Sequence, residues 1–208
     1  MPDGPSRLDV TSPIKPVTQV EADQVTELLT LAFRDDPTWS WVFADAARRQ
    51  EQLRLWWGLY VNGALPYGWV WMTDDGGAAS VWIPPGQPEL SDQDEARVEP
   101  LLRDLVGPHA DDVLMLLDRF ESNHPRDRPH YYLSLLGTHP DHRGRGKGMD
   151  LLAANLAVID EVGFPAYLES SNRVNDHRYE RLGFVQTGEF AAPHGGPTVA
   201  CMWREPTD

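Results

Sequence analysis

The stretch Tyr131-Tyr132-Leu133-Ser134-Leu135-Leu136-Gly137-Thr138-His139-Pro140-Asp141-His142-Arg143-Gly144-Arg145-Gly146-Lys147-Gly148 decides the fold. Tyr131 to Leu136 is aromatic and apolar, the composition of a buried strand. Downstream of Gly148, Leu151, Leu152, Leu156, Ile159 and Val162 recur at helical spacing. The sequence therefore predicts a strand over 131–138, a glycine-rich turn and a helix over 147–162. A turn that opens a helix leaves several backbone N–H groups without an intrahelical partner. The helix dipole adds partial positive charge at the same place. Arg143, Arg145 and Lys147 set full charges beside these donors, and glycine removes the Cβ that would keep an anion at a distance. The loop reads as a phosphate cradle.

Two familiar cradles fail on spacing. A P-loop needs Gly-x-x-x-x-Gly-Lys-Ser/Thr, but Asp141 holds the first glycine position and Gly148 the Ser/Thr position. The dinucleotide fingerprint Gly-x-Gly-x-x-Gly fails at Met149 when started from Gly144, and at Leu151 when started from Gly146. The spacing that fits is Arg-x-x-Gly-x-Gly, at Arg143, Gly146 and Gly148. With Thr138 to His142 before it, this run resembles the acetyl-CoA pyrophosphate loop of the GCN5-related N-acetyltransferases (GNAT). Tyr179-Glu180-Arg181-Leu182-Gly183-Phe184 resembles that family's Tyr-x-x-x-Gly-Phe segment. Residues 165–171, Asn175, the Trp69–Trp71 and Asp74–Gly76 hairpin and Cys201-Met202-Trp203 are similar to the puromycin N-acetyltransferase branch, so the likeness spans roughly residues 16–204.

The resemblance implies an α/β (α+β) GNAT fold: a central mixed, mostly antiparallel sheet of about six to seven strands flanked by helices. It implies an acetyl-CoA-dependent N-acetyltransferase in which a primary amine attacks the thioester directly. The acceptor is a small molecule, antibiotic-like amines included. The alternatives are a peptide or protein amine, or a catalytically silent acyl-CoA sensor. Cofactor binding falls to Arg143, Gly144, Arg145, Gly146, Lys147 and Gly148, and to the main chain of Leu136, Gly137 and Thr138. Asn172 or Asn175 is expected to face the pantetheine arm; either could instead cap the short helix that follows. Tyr179 is the expected general acid, because a phenol and a thiol can share a proton. Glu169, at the end of a predicted strand, is the expected general base, with Asp35, Asp36 and Glu121 as alternatives. Some positions depart from the family pattern: Lys147 and Met149 replace smaller or aliphatic residues, Asp150 sets a negative charge beside the cradle, and Asp176-His177-Arg178 precedes the tyrosine.

Composition narrows the rest. A chain of 208 residues can bury a real core, and no run is long and apolar enough to span a membrane. A net charge of −14 argues against nucleic acid. Acids dominate from Glu89 to Asp127, which suits a cationic, amine-bearing substrate, although acids also keep proteins soluble. A lone cysteine, Cys201, fits a reducing cytoplasm. His139 and His142 lack further ligands at zinc spacing, so no metal is expected. Residues 1–13 are expected to be a flexible segment and 14–205 one domain, as a monomer or homodimer. Further elements are predicted at 14–19, 21–33, 48–64, 69–73, 78–83, 92–106, 110–122, 165–170, 176–182, 184–190 and 197–203. Asp35-Asp36-Pro37 is expected to break the second of these; Trp39 and Trp41 follow it, where the resemblance implies the family's substrate loop and where a ring could stack on an aryl or cationic substrate.

Overall fold

The computed structural model describes residues 14–207, so the predicted N-terminal segment lies outside the described residues. Seven strands form one sheet: β1 (Ile14–Pro16), β2 (Val70–Thr73), β3 (Ala78–Ile83), β4 (Tyr131–Thr138), β5 (Ala166–Ser170), β6 (Val185–Ala191) and β7 (Thr198–Arg204). Their order is β1-β2-β3-β4-β5-β7-β6, and every pair is antiparallel except β4–β5. Helices α1 (Ala22–Phe33), α2 (Pro37–Val42), α3 (Arg49–Ala64), α4 (Asp92–Val106) and α5 (Ala110–Asn123) cover one face. Helix α6 (Lys147–Glu161) covers the other, and α7 (Asp176–Glu180) closes its end.

Period-two alternation sorts the sheet's side chains between two cores. Tyr167, Val199 and Cys201 face α1–α5, whereas Ala166, Leu168, Ala200 and Met202 face α6. Asn155 of α6 is fully buried and locks that helix to β3. Its Oδ1 accepts from Ser80 Oγ at 2.7 Å and from Trp82 Nε1 at 3.1 Å. Each large side chain buried this way stabilises the fold by roughly 1.5–3 kcal/mol.

Strand β4 breaks the alternation. Leu133 packs with α6 but Leu135 faces α1 and α3, although residues two apart in a regular strand share a face. The pairing register gives the reason. Val81 opposes Leu135 and Trp82 opposes Leu133, so Ser134 is an extra residue, a β-bulge. The bulge coincides with the end of the parallel pairing, because β4 and β5 are partners only from Tyr131–Ala166 to Leu133–Leu168. Beyond it the two strands diverge, and the β5-facing edge of residues 134–138 has no strand partner. The sheet opens there into a wedge.

Two elements differ from expectation. The first strand stops at Pro16, because the chain turns into a 3₁₀ turn at Gln19–Glu21. The Asp35-Asp36-Pro37 break opens a helix rather than a loop. Asp36 Oδ1 accepts from the N–H groups of Thr38 (2.9 Å) and Trp39 (3.1 Å), and Pro37 takes the first helical position. Among the described residues no helix is long and apolar enough to cross a membrane.

Candidate active site

The wedge holds two connected spaces. The first is a groove of about 700 Å³ between the free edge of β4, the loop before α6 and helix α7. Gly144, Gly146 and Gly148 line it with Leu136, Gly137, Thr138, Arg143 and Lys147. Gly146 caps α6 at φ 78°, a left-handed conformation that favours glycine. Among the described residues, the N–H groups of residues 144–148 donate to nothing in the protein. These orphan donors at the start of a 15-residue helix, next to an unpaired strand edge, fit a diphosphate joined to an amide-bearing arm.

The cations are arranged differently from a simple cluster. The Arg143 guanidinium donates to the Ala32 carbonyl at 2.9 Å, which ties the loop to α1. Lys147 is ion-paired to Asp75 in the β2–β3 turn, and this holds the Asp75 carboxyl down at about 2. Arg145 has no ion-pair partner among the described residues. Arg178 and Arg181 also line the groove. Neither was among the residues expected from sequence, although their i, i+3 spacing puts the two on one face of the predicted helix.

The second space is a cavity of about 130 Å³ deeper between β4 and β5. Phe33, Trp39, Trp57, Tyr60, Phe120 and Tyr132 supply aromatic walls, and Glu89 and Glu169 supply carboxyls. Alternation along β5 sets Glu169 on the Tyr167 face, and its side chain is only 2% exposed. Neither carboxylate oxygen has a hydrogen-bond partner. Glu89, in the loop between β3 and α4, has its pKa pushed up to about 7. Burial is the main cause; the Ser134 hydroxyl opposes it, and the Glu169 charge adds to it. Burial raises the phenol of Tyr60, helped by Glu89 and Glu95, and that of Tyr132, helped by Glu169 and Glu89, so both stay neutral.

Phe33, Asp36, Leu136, Asn172, Asn175 and Tyr179 border both spaces and mark their junction. Burial raises the Tyr179 pKa, followed by the charges of Asp36 and Asp176, so the phenol keeps its proton at neutral pH. Asn172 Oδ1 accepts from Val174 N–H at 3.2 Å and caps the turn before α7, while the Asn175 amide makes no hydrogen bond among the described residues.

The other carboxylate candidates separate cleanly. Both Asp36 oxygens are occupied, one by the α2 cap and the other by Ser171 Oγ at 2.8 Å. Asp35 is exposed and borders only the groove. Glu121 is 72% exposed and pairs with Arg126 outside the cavity. Trp39 lines the cavity, 4.5 Å from the Trp57 ring, whereas Trp41 packs on His109 away from it. Glu89 was missed because it lies in an aperiodic Pro/Gly-rich loop. Its burial comes from a tertiary contact: a Cβ on Gly63 of α3 would sit 2.3 Å from the Glu89 carbonyl oxygen. Among the described residues no group of three or more His, Cys, Asp or Glu could hold a metal.

Residues 111–184, which run from α5 through the parallel pair β4–β5 and the glycine cradle to the tyrosine at the sheet's opening, match the model of the Acetyltransferase (GNAT) family. Solved structures share the fold at low identity. One is the histone acetyltransferase HPA2 and related acetyltransferase from Corynebacterium glutamicum. It is 22% identical over 95% of this chain and 98% of its own, with a TM-score of 0.66. Another is arylalkylamine N-acetyltransferase 2 from Aedes aegypti: 12% identical, 95% and 100% covered, TM-score 0.62. A third is the Drosophila melanogaster polyamine N-acetyltransferase that forms N-acetylagmatine: 18% identical, 93% and 99% covered, TM-score 0.59.

Proposed function

We propose that this protein transfers acetyl from acetyl-CoA to the primary amine of a small cationic molecule with an apolar or aromatic body. The observation that carries this reading is Glu169, buried with neither carboxylate oxygen hydrogen-bonded, beside Glu89 in an aromatic cavity that opens onto the phosphate-type cradle; among the described residues no Lys or Arg pairs with either acid. Unpaired buried carboxylates cost stability, and a bound ammonium is the partner that offsets that cost. The aromatic walls suit the same cation. The relatives that act on arylalkylamines and on agmatine agree with this chemistry.

Bound acetyl-CoA supplies the activated acetyl group. The N–H groups of residues 144–148 and the charges of Arg143, Arg145, Arg178 and Arg181 hold its diphosphate, and the free edge of β4 at Leu136, Gly137 and Thr138 aligns its arm. Asn175 faces that arm; Asn172 shapes the same turn. Glu89 and Glu169 neutralise the incoming ammonium and then receive its proton; burial pushes the Glu89 carboxyl up to about 7, which suits a base at physiological pH. Tyr179 presents a phenolic proton at the junction, where a leaving thiolate needs one. The amine attacks directly, with no covalent enzyme intermediate.

Thiol release from acetyl-CoA, measured against agmatine, spermidine, arylalkylamines, puromycin and lysine-bearing peptides, tests the reading. Puromycin belongs in the panel because residues 165–184 resemble that branch. Turnover confined to small cationic amines is the expected result. Turnover only on peptides, or coenzyme A binding without turnover on any amine, overturns it.

A further inference from the structure

The back wall of the acidic cavity is not closed by inert side chains. Behind Glu169 stands His124, which caps the C-terminus of α5, and behind His124 stands His130. The three form a chain whose protonation pattern can be worked out from one end. His130 Nδ1 lies 2.8 Å from the Arg128 carbonyl oxygen. A carbonyl only accepts, so Nδ1 carries hydrogen. His130 is 8% exposed, and burial lowers its pKa, so it holds a single proton. Its Nε2 is therefore a lone pair. His124 Nε2 sits 3.1 Å from that lone pair and must carry hydrogen. A neutral His124 then has its own lone pair on Nδ1, and this atom faces Glu169 Oε1 at 3.6 Å.

Glu169 has no hydrogen-bond partner and its side chain is 2% exposed, whereas the His124 side chain is 19% exposed. A proton that reaches Glu169 has one basic nitrogen in front of it, and that nitrogen belongs to a residue that touches solvent. We propose that His124 Nδ1 takes the proton Glu169 receives from the amine and passes it to solvent, and that His130 is a positioning residue that fixes His124 in the tautomer able to accept it. The proposal rests on the acetyltransferase reading above for the origin of the proton.

The balance is simple. The substrate ammonium loses a proton to the Glu169 carboxylate, giving a neutral amine and a carboxylic acid. The Glu169 O–H bond then breaks as the His124 Nδ1–H bond forms, giving carboxylate and imidazolium. The imidazolium loses that proton to water or buffer after a small side-chain rotation. The other groups facing His124 do not compete for the proton. Tyr132 of β4 and Tyr167 of β5 lie against its ring at 4.7 and 5.1 Å, and burial raises both phenols, so they stay neutral. Cys201 of β7 is likewise raised by burial. Glu89 acts through the cavity, and Arg126 contributes only a nearby positive charge at His130.

Two measurements decide the matter, one of them without catalysis. Long-range ¹H–¹⁵N NMR of the full chain above pH 8 should show neutral His124 as the Nε2–H tautomer and His130 as the Nδ1–H tautomer. The opposite assignment for His124 overturns the proposal even if no amine is ever turned over. In the amine-dependent assay, His124→Gln should lower kcat about 10- to 100-fold with the KM for acetyl-CoA within about twofold. Added imidazole should restore several-fold of the loss, which a purely structural defect would not allow. His130→Phe, with its acceptor removed, should give a smaller loss and an altered pH profile. Wild-type turnover in His124→Gln, or a loss that imidazole does not relieve, refutes the relay while leaving the acetyltransferase reading intact. Absence of wild-type turnover on every amine would refute that reading instead, with the NMR result still deciding the tautomer lock.

Discussion

Asp160 and Glu169 are both acids drawn back from water, and their surroundings are opposite. Asp160 of α6 meets Arg204 of β7 through two bonds, at 2.6 and 2.7 Å, while Thr207 donates through its N–H at 3.1 Å and its hydroxyl at 2.7 Å. Arg204 also donates to the Leu182 carbonyl at 2.8 Å, so one cluster pins α6, β7 and the tyrosine-bearing segment together. The Arg204 guanidinium holds the Asp160 carboxyl down at about 2. Glu169 has nothing of the kind, and its charge helps push neighbouring Glu89 up to about 7. A carboxylate whose partner is built into the chain supports the fold. One whose partner is missing is waiting for a molecule that supplies it.

The sharpest way to break this contrast is to neutralise each acid in turn. Glu169→Gln should leave the melting temperature within about 2 °C of wild type and lower kcat/KM for the amine by roughly 10²–10³-fold. Asp160→Asn should do the reverse. It leaves the Arg204 guanidinium largely unpaired and should destabilise by about 3 kcal/mol, with the per-molecule activity of the folded fraction little changed. Because the folded carboxyl titrates below its usual value near 3.8, this contribution is present above about pH 4 and fades as pH falls through about 2; urea melts at both ends would show it. Tyr179→Phe should lower kcat about 10²-fold while coenzyme A affinity, read by calorimetry, stays put.

Smaller effects refine the comparison. Gly63→Ala places a methyl against the Glu89 carbonyl, so the loop must shift and the amine KM should rise several-fold at unchanged acetyl-CoA KM. Glu89→Gln carries a signature in stability. Between about pH 4.5 and 7 the folded chain keeps a proton that the unfolded chain has released, so stability falls as pH rises across that window. The variant removes this loss and should melt above wild type at pH 8, by roughly 2–6 °C, with no gain near pH 4. Equal melting at pH 8 would mean that Glu89 is not held in its protonated form by the cavity.

Much of this was legible in the chain before folding. The strand, glycine turn and helix from Tyr131 to Ile159 declare themselves by composition and period, and the helices at Ala22–Phe33, Arg49–Ala64 and Asp92–Val106 follow from spacing and breakers. The motif pointed to Tyr179, and the end of a predicted strand to Glu169. Helix α2 was not, because a six-residue helix has too few turns to show a period, and only its cap and proline mark it. Glu89, His124 and His130 were invisible for another reason. Each sits outside a regular element, in a loop or at a helix end, and is brought to the cavity by contacts between distant segments. Local pattern carries no record of such contacts.

Ser134 has a consequence that concerns counting rather than chemistry. Because it is the supernumerary residue of its strand, other small polar side chains should be tolerated at its position. A deletion there should not. Removing one residue would leave Leu136 and Thr138 facing α6 and Gly137 facing α1 in an unbroken ladder, but the kink would be gone and the two parallel neighbours could zip shut. The opening in this sheet is thus held by a surplus of one, and descendants of this sequence would be free to change the letter there but not the tally.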